Sequence, residues 1–252
     1  MKLRSKCAAV VALLAMATSA IGVGHASAST VTSWKTVVND TFNTGGLPSH
    51  WKAYNGPYGS GVKSCAVPSH NVVSGGYLHL KFYYEPSATA GKCGAAWYSG
   101  GMSLSTAYSS VSQRITMRFR VVQSGGVSAH RIIPMRWPDA GSGSGEEDFF
   151  ECSATVFCYT YLHWKAYSGR DHKKYNVDLT QWHTFQVEHN GNTVHVKIDS
   201  VARFDFVGNS TSLPATLKHV VLQQECDKLG CPTTKTGSED IQIDSIRVEN
   251  PA

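Results

Sequence analysis

Over residues 112–122 the chain alternates without a break. Gln113, Ile115, Met117, Phe119 and Val121 take one face, and Arg114, Thr116, Arg118 and Arg120 the other. A period of two belongs to a β-strand with one buried and one wet side, and it cannot be laid on a helix without scattering the apolar residues around the barrel. The same alternation recurs at Leu78, Leu80, Phe82 and Tyr84, at Phe185 and Val187, and at Val194, Val196 and Ile198, the last two runs flanking an Asn190-Gly191 hairpin signal. Ile241 and Ile243, then Ile246 and Val248, end the chain with a spacing that predicts a bulge near Ser245. No window carries a helical period. Charged residues make up only 16% of the chain, too few for the surface of a helical bundle. Short strands separated by Gly, Pro, Asn and Ser predict an all-β sandwich or jelly roll. With no linker or internal repeat, the 252 residues read as one domain behind a leader, the glycine-serine stretch at 138–145 being a surface loop.

The leader is residues 1–28. Lys2, Arg4 and Lys6 precede an apolar, alanine-rich run, and Ala26-Ser27-Ala28 supplies a small-x-small cleavage pattern. Three cations and no acids leave with it, so a formal charge of +5 falls to +2. The basic character belonged mostly to the signal, which removes nucleic acid from the expected partners. No later stretch could span a bilayer, so the mature domain, 29–252, is expected to be secreted, extracellular, monomeric and free of the membrane. Cys65, Cys93, Cys152, Cys158, Cys226 and Cys231 remain, an even set in an exported chain. Their spacings suggest Cys152–Cys158, Cys226–Cys231 and, by elimination, Cys65–Cys93.

There is no GxSxG, P-loop or GxGxxG, and paired cysteines leave no thiol nucleophile. Carboxylates remain. Of 18 acids, four fall in Glu146-Glu147-Asp148-Phe149-Phe150-Glu151. On a strand Glu146 and Asp148 share a face. Glu151 joins them only if a bulge at Phe149-Phe150 absorbs one residue. Three carboxylates in one groove repel each other, which is poor for stability and useful for raising a pKa. The other register, Glu147-x-Phe149-x-Glu151, needs no bulge but puts Phe149 where the central acid belongs.

The pattern E-x-D-x-x-E, with Trp137-Pro138 upstream and Gly145 just before it, resembles the catalytic strand of glycoside hydrolase family 16. The likeness runs through Asp40-Thr41-Phe42 with Leu47-Pro48-Ser49-His50-Trp51, then Gly75-Gly76-Tyr77-Leu78-His79-Leu80, Ser99-Gly100-Gly101-Met102-Ser103-Leu104, Trp182-His183-Thr184-Phe185 and Ile243-Asp244-Ser245-Ile246-Arg247-Val248. It implies a concanavalin A-like β-jelly-roll sandwich of two curved antiparallel sheets. It also implies a retaining endo-glycosidase acting on a polysaccharide, most often a β-1,3- or β-1,3/1,4-glucan and in some members a galactan, with Glu146 as nucleophile, Asp148 as its helper and Glu151 as acid/base. Two departures stand out. Glu147 occupies a position usually apolar in the family, so its charge must find a partner in the interior. Residues 127–134 replace a stretch that usually carries a tryptophan.

Trp137 beside the acids suits sugar stacking, and His163, Trp164 and Gln223 are further expected substrate contacts. Trp51, Trp97 and Trp182 are expected in the core. Asp40 and Asp244 resemble the family's convex-face calcium site, a structural ion and not a required cofactor. A lectin on the same fold is the competing reading; it would need aromatics and amides but not three acids on one strand.

Overall fold

The computed structural model describes residues 31–58, 62–86, 93, 94, 96–141, 145–164, 169–226 and 231–252; the expected leader, and residues 142–144 of the glycine-serine stretch, lie outside them. Seven strands form one sheet, in the order Gly169–Asn176, Phe157–Trp164, Glu147–Cys152, His130–Pro138, Lys218–Glu225, Gly101–Leu104 and Trp51–Ala53. The second sheet has eleven. Its main path runs Val201–Val207, Thr193–Ile198, His183–Asn190, Gln113–Ser124, Ser238–Pro251, Tyr77–Glu85, Ala96–Ser99, Cys65–Ala66 and Gly56–Pro57. Trp34–Asp40 pairs with Ser238–Pro251, and Asn71–Ser74 with Tyr77–Glu85. One pairing, Cys65–Ala66 against Ala96–Ser99, is parallel. Among the described residues helix is confined to two short 3₁₀ turns, Pro68–His70 and Thr106–Tyr108.

The alternation seen in sequence is the alternation of burial. Gln113, Ile115, Met117, Phe119 and Val121 all face the interior. They meet Leu78, Leu80, Phe185, Val187, Ile241 and Ile246 of their own sheet, and Phe149, Phe150, Leu162, Val220 and Leu222 of the other. Phe119 stacks on Phe185 at 4.2 Å, and Phe150 meets the same ring edge-on at 4.4 Å, which ties the two layers together. The hairpin turns at Gly191, where φ is +61°. The last strand slips register between Ile243 and Ser245, where its spacing predicted a bulge. All three disulfides form as the spacings suggested, with Cα–Cα distances of 6.2, 4.4 and 4.8 Å in chain order.

Trp182 departs from expectation. Trp51 and Trp97 are core residues, but Trp182 lies on the outer face of the larger sheet, where the guanidinium groups of Arg118 and Arg120 sit 4.6 and 4.8 Å from its ring. An alternating arginine row needs partners on the wet side, and an indole face supplies one.

Between the layers lies a buried ion pair. Arg131, fully buried on His130–Pro138, reaches Glu239 on the opposite sheet at 2.5 Å. Glu239 also accepts from Gln123, Gln224 and the Ala129 backbone N–H. Removing one partner of such a pair strands the other charge in the interior. Arg131→Met is therefore expected to destabilise the protein by about 3–5 kcal/mol, read as a drop in the urea midpoint at unchanged m-value.

Candidate active site

The acidic strand begins at a glycine for a steric reason. Gly145 has φ of +95°, and a Cβ there would lie 2.7 Å from the Pro214 ring. From this point Gly145 N–H donates to the His163 carbonyl, and His163 N–H to that of Glu146, so the ladder is running before the strand Glu147–Cys152 begins. Alternation then sends Glu146 and Asp148 outward and Glu147 inward. The next two residues break the alternation: Phe149 and Phe150 are both fully buried. The pairing with Phe157–Trp164 records it, because between the pairs Asp148–Tyr161 and Glu151–Tyr159 two residues, Phe149 and Phe150, oppose one, Thr160. This bulge returns Glu151 to the side of Asp148. It leaves the Phe149 carbonyl outside the ladder, where Thr160 and Tyr175 hydroxyls donate to it at 2.8 and 2.7 Å.

Glu147 resolves the first departure from the family pattern. Its carboxylate is 2% exposed and meets Arg136 at 2.7 Å, His189 at 2.7 Å and Lys218 at 2.9 Å. Burial opposes its ionisation, but the three basic groups outweigh that and hold it well below the usual carboxylate range. Arg136 also donates to the Ser110 and Val111 carbonyls, and His189 Nε2 to that of Gly191. The alternative register is thereby overturned, since Glu147 and Phe149 both turn away from the groove.

On the outer face Glu146, Asp148 and Glu151 line a cleft of about 760 Å³. Asp148 is buried and pushed well above the ordinary aspartate range, first by desolvation and next by the charge of Glu151; a hydrogen bond shared with Glu146 acts the other way. His163 Nε2 lies 3.0 Å from Asp148, and His130 Nε2 lies 3.1 Å from Glu151. Neighbouring carboxyls whose surroundings push their proton affinities apart are what acid, base and nucleophile assignments are made from.

Of the other expected contacts, Trp137, His163 and Gln223 line the cleft. Trp164 does not. Alternation puts it on the opposite face from His163, where it packs against the core. Sequence reasoning missed His130, Glu225, Tyr54 and Tyr58, which also line the cleft. His130 lies within the stretch read as having lost an aromatic, where a gain of imidazole was legible. Glu225 accepts from Gln223 at 2.5 Å, an i, i+2 pair that strand periodicity could have flagged. Burial raises the Tyr54 phenol to about 12.

The donors at the expected calcium position do not fit the ion. One oxygen of Asp40 accepts from His50 at 2.8 Å and from Trp51 at 2.7 Å, and Asp244 faces the Arg118 guanidinium at 3.4 Å. Among the described residues the group that could ligate a metal is Asp148, Glu151 and His163, whose ligand atoms lie within 4.8 Å of one another.

Because the folded protein binds the Asp148 proton more tightly than the unfolded chain does, stability from this group is full below about pH 3.9 and is lost as pH rises through its folded value. Asp148→Asn is expected to lower activity yet raise Tm relative to wild type near pH 7, a gain that fades toward pH 4. A Tm difference flat across that range contradicts the assignment.

No family model matches the chain, and no curated protein matches it by sequence. Solved structures do match. A non-specific endo-β-1,3(4)-glucanase from family GH16 superposes with a TM-score of 0.73 at 18% identity, covering 89% of this chain and 94% of its own. The catalytic domain of an endo-1,3-β-glucanase (laminarinase) from Thermotoga petrophila RKU-1 gives 0.71 at 18%, covering 86% and 98%. A laminarinase from Flavobacterium sp. UMI-01 gives 0.70 at 15%, covering 85% and 99%. At such identities the likeness is one of fold: the chain is a jelly-roll sandwich of the kind on which these glucanases are built.

Proposed function

We propose that the protein is a secreted, monomeric retaining endo-glycosidase of the family 16 type, hydrolysing a polysaccharide, with a β-1,3- or β-1,3/1,4-glucan as first substrate class. The observation that carries this is the convergence of Glu146, Asp148 and Glu151 on one cleft by way of the Phe149–Phe150 bulge. A lectin has no use for three mutually repelling acids, and their cost in stability is the usual mark of chemistry. The neighbours' printed activities support the glucan assignment. The three disulfides and the leader read from sequence support export.

In this reading the reacting form carries a proton on Glu151; Glu146 attacks the anomeric carbon while Glu151 gives that proton to the departing glycosidic oxygen. Asp148 holds Glu146 through their shared hydrogen bond, and releases it as the Glu146 oxygen becomes an ester. Glu151, now a base, takes a proton from water, which attacks the same carbon and frees Glu146. Two displacements restore the starting anomeric configuration. His130 keeps Glu151 oriented, and Trp137 offers a ring for the sugar.

Reducing ends released from a polysaccharide panel test the activity itself; tight binding without cleavage transfers the protein to the lectin reading. Glu146→Gln is expected to fall to background with folding intact. Glu151→Ala should lose about 10²–10⁴-fold on polysaccharide and far less on an activated aryl glycoside. Azide should restore turnover of that variant and give a glycosyl azide of the substrate's configuration; an inverted azide rules out a covalent intermediate on Glu146.

A further inference from the structure

Beyond the acids, the outer face of the smaller sheet changes character. On Phe157–Trp164, Phe157, Tyr159, Tyr161 and His163 alternate with the buried Cys158, Thr160 and Leu162. The outward rings form a row: Tyr159 and Tyr161 stack at 5.4 Å, Tyr161 and His163 at 5.8 Å. Such a row would stack on a neutral sugar chain if its faces were bare. They are not. The neighbouring strand Gly169–Asn176 sets Arg170, His172 and Lys174 opposite His163, Tyr161 and Tyr159. Arg170 sits 5.4 Å from the centre of the Tyr161 ring. The His172 imidazole lies nearly parallel to that ring at 5.4 Å. Lys174 Nζ lies 4.0 Å from the Phe157 ring and 5.7 Å from that of Tyr159.

All three basic residues are exposed, and among the described residues no carboxylate pairs with any of them. On the outer face of the larger sheet, by contrast, Arg114 pairs with Glu249, Arg118 with Asp244 and Arg120 with Gln242. Lysines on an edge strand ordinarily guard against strand addition, a job that a charge on either face can do. Here Arg170 and Lys174 each lie against an aromatic ring of the neighbouring strand, and Arg170 lines the same cleft as the acids. From Arg170 to Lys174 the strand runs about 13 Å, room for more than one sugar residue.

We infer that this row is a set of substrate subsites for an anionic sugar, one bearing a sulfate ester or a uronate carboxylate, so that the polysaccharide taken by the cleft carries negative charge on one side of the cleaved bond. The inference rests on the glycosidase reading for its position in the cleft. Its chemistry is its own: a guanidinium presents a fork to either anion, and an ammonium beside it adds a point charge.

The test uses the whole secreted protein in gels containing laminarin, chemically sulfated laminarin or C6-oxidised laminarin. Retention is read with the Glu146→Gln variant, and cleavage separately with the wild type. Retention by at least one anionic derivative is expected to exceed that by laminarin about tenfold at about 20 mM NaCl, and to approach it at about 300 mM. The sulfated and oxidised arms tell which anion is preferred. Adding Arg170→Gln or Lys174→Gln to Glu146→Gln should lower the anionic-to-neutral ratio about threefold, and circular dichroism will show whether each variant is folded. The wild-type salt dependence stands independently of those variants. Equal retention of charged and neutral polymers at low salt, or a ratio untouched in folded variants, overturns the inference. Cleavage with a ratio near one removes the anion row and keeps the hydrolase. Salt-sensitive retention of the anionic polymers with no cleavage of any polymer removes the hydrolase and keeps the row.

Discussion

Phe149 and Phe150 both claim the interior, and a regular strand can grant that to only one of two neighbours. Burying the second phenylalanine is worth about 1.5–3 kcal/mol, and the chain obtains it by giving up a ladder position. The freed Phe149 carbonyl is then met by two buried hydroxyls, so the bulge costs little in unmet hydrogen bonding. Everything in the cleft depends on this choice. Without the extra residue Glu151 would point into the core, and Asp148, raised first by its burial, would lose the neighbouring carboxyl that raises it further. The catalytic spacing is thus decided by side chains that never touch the substrate.

Glu147 and Asp148 show how sharply a sandwich wall divides its two faces. They are adjacent and both almost wholly buried, yet one is held ionised and the other is driven toward its neutral form. Burial opposes the ionisation of both, but Glu147 meets three basic groups on the inner side, whereas on the outer side the neighbouring Glu151 reinforces the desolvation of Asp148. The inner cluster also spans the sandwich, since Arg136 and Lys218 come from the smaller sheet and His189 from the larger. Together with the Arg131–Glu239 pair it fixes how the cleft-bearing sheet sits on its support, and so where the acids stand.

Alternation is a local property, and the elements that depended on it alone were legible in sequence: the 112–122 run, the Asn190-Gly191 hairpin, the slip near Ser245. The acid triplet was legible too, because its doubled phenylalanine is itself a breach of period two that demands a bulge. Partners contributed by distant strands were not. Nothing around Glu147 announces Lys218 or His189, and the local sequence of Trp182 gives no hint that two arginines from another strand would claim its ring. Trp164 was misplaced by treating neighbours on a strand as sharing a face, which the pleat forbids. The ring contacts of Arg170, His172 and Lys174 likewise come from the pairing of two strands and not from the local sequence.

Glu147 and the three residues around it also constrain how this sequence can drift. Any one of them changed alone leaves an interior charge uncompensated, whereas an apolar set of similar volume would be tolerated. Substitution at positions 136, 147, 189 and 218 should therefore be concerted over evolutionary time. A lineage that carries an aliphatic residue at 147 would be expected to have shed basic residues at the other three, and intermediates would be rare. A family profile built from chains with an aliphatic residue there would score this chain as foreign at positions scattered over four strands, while the backbone they support stayed the same.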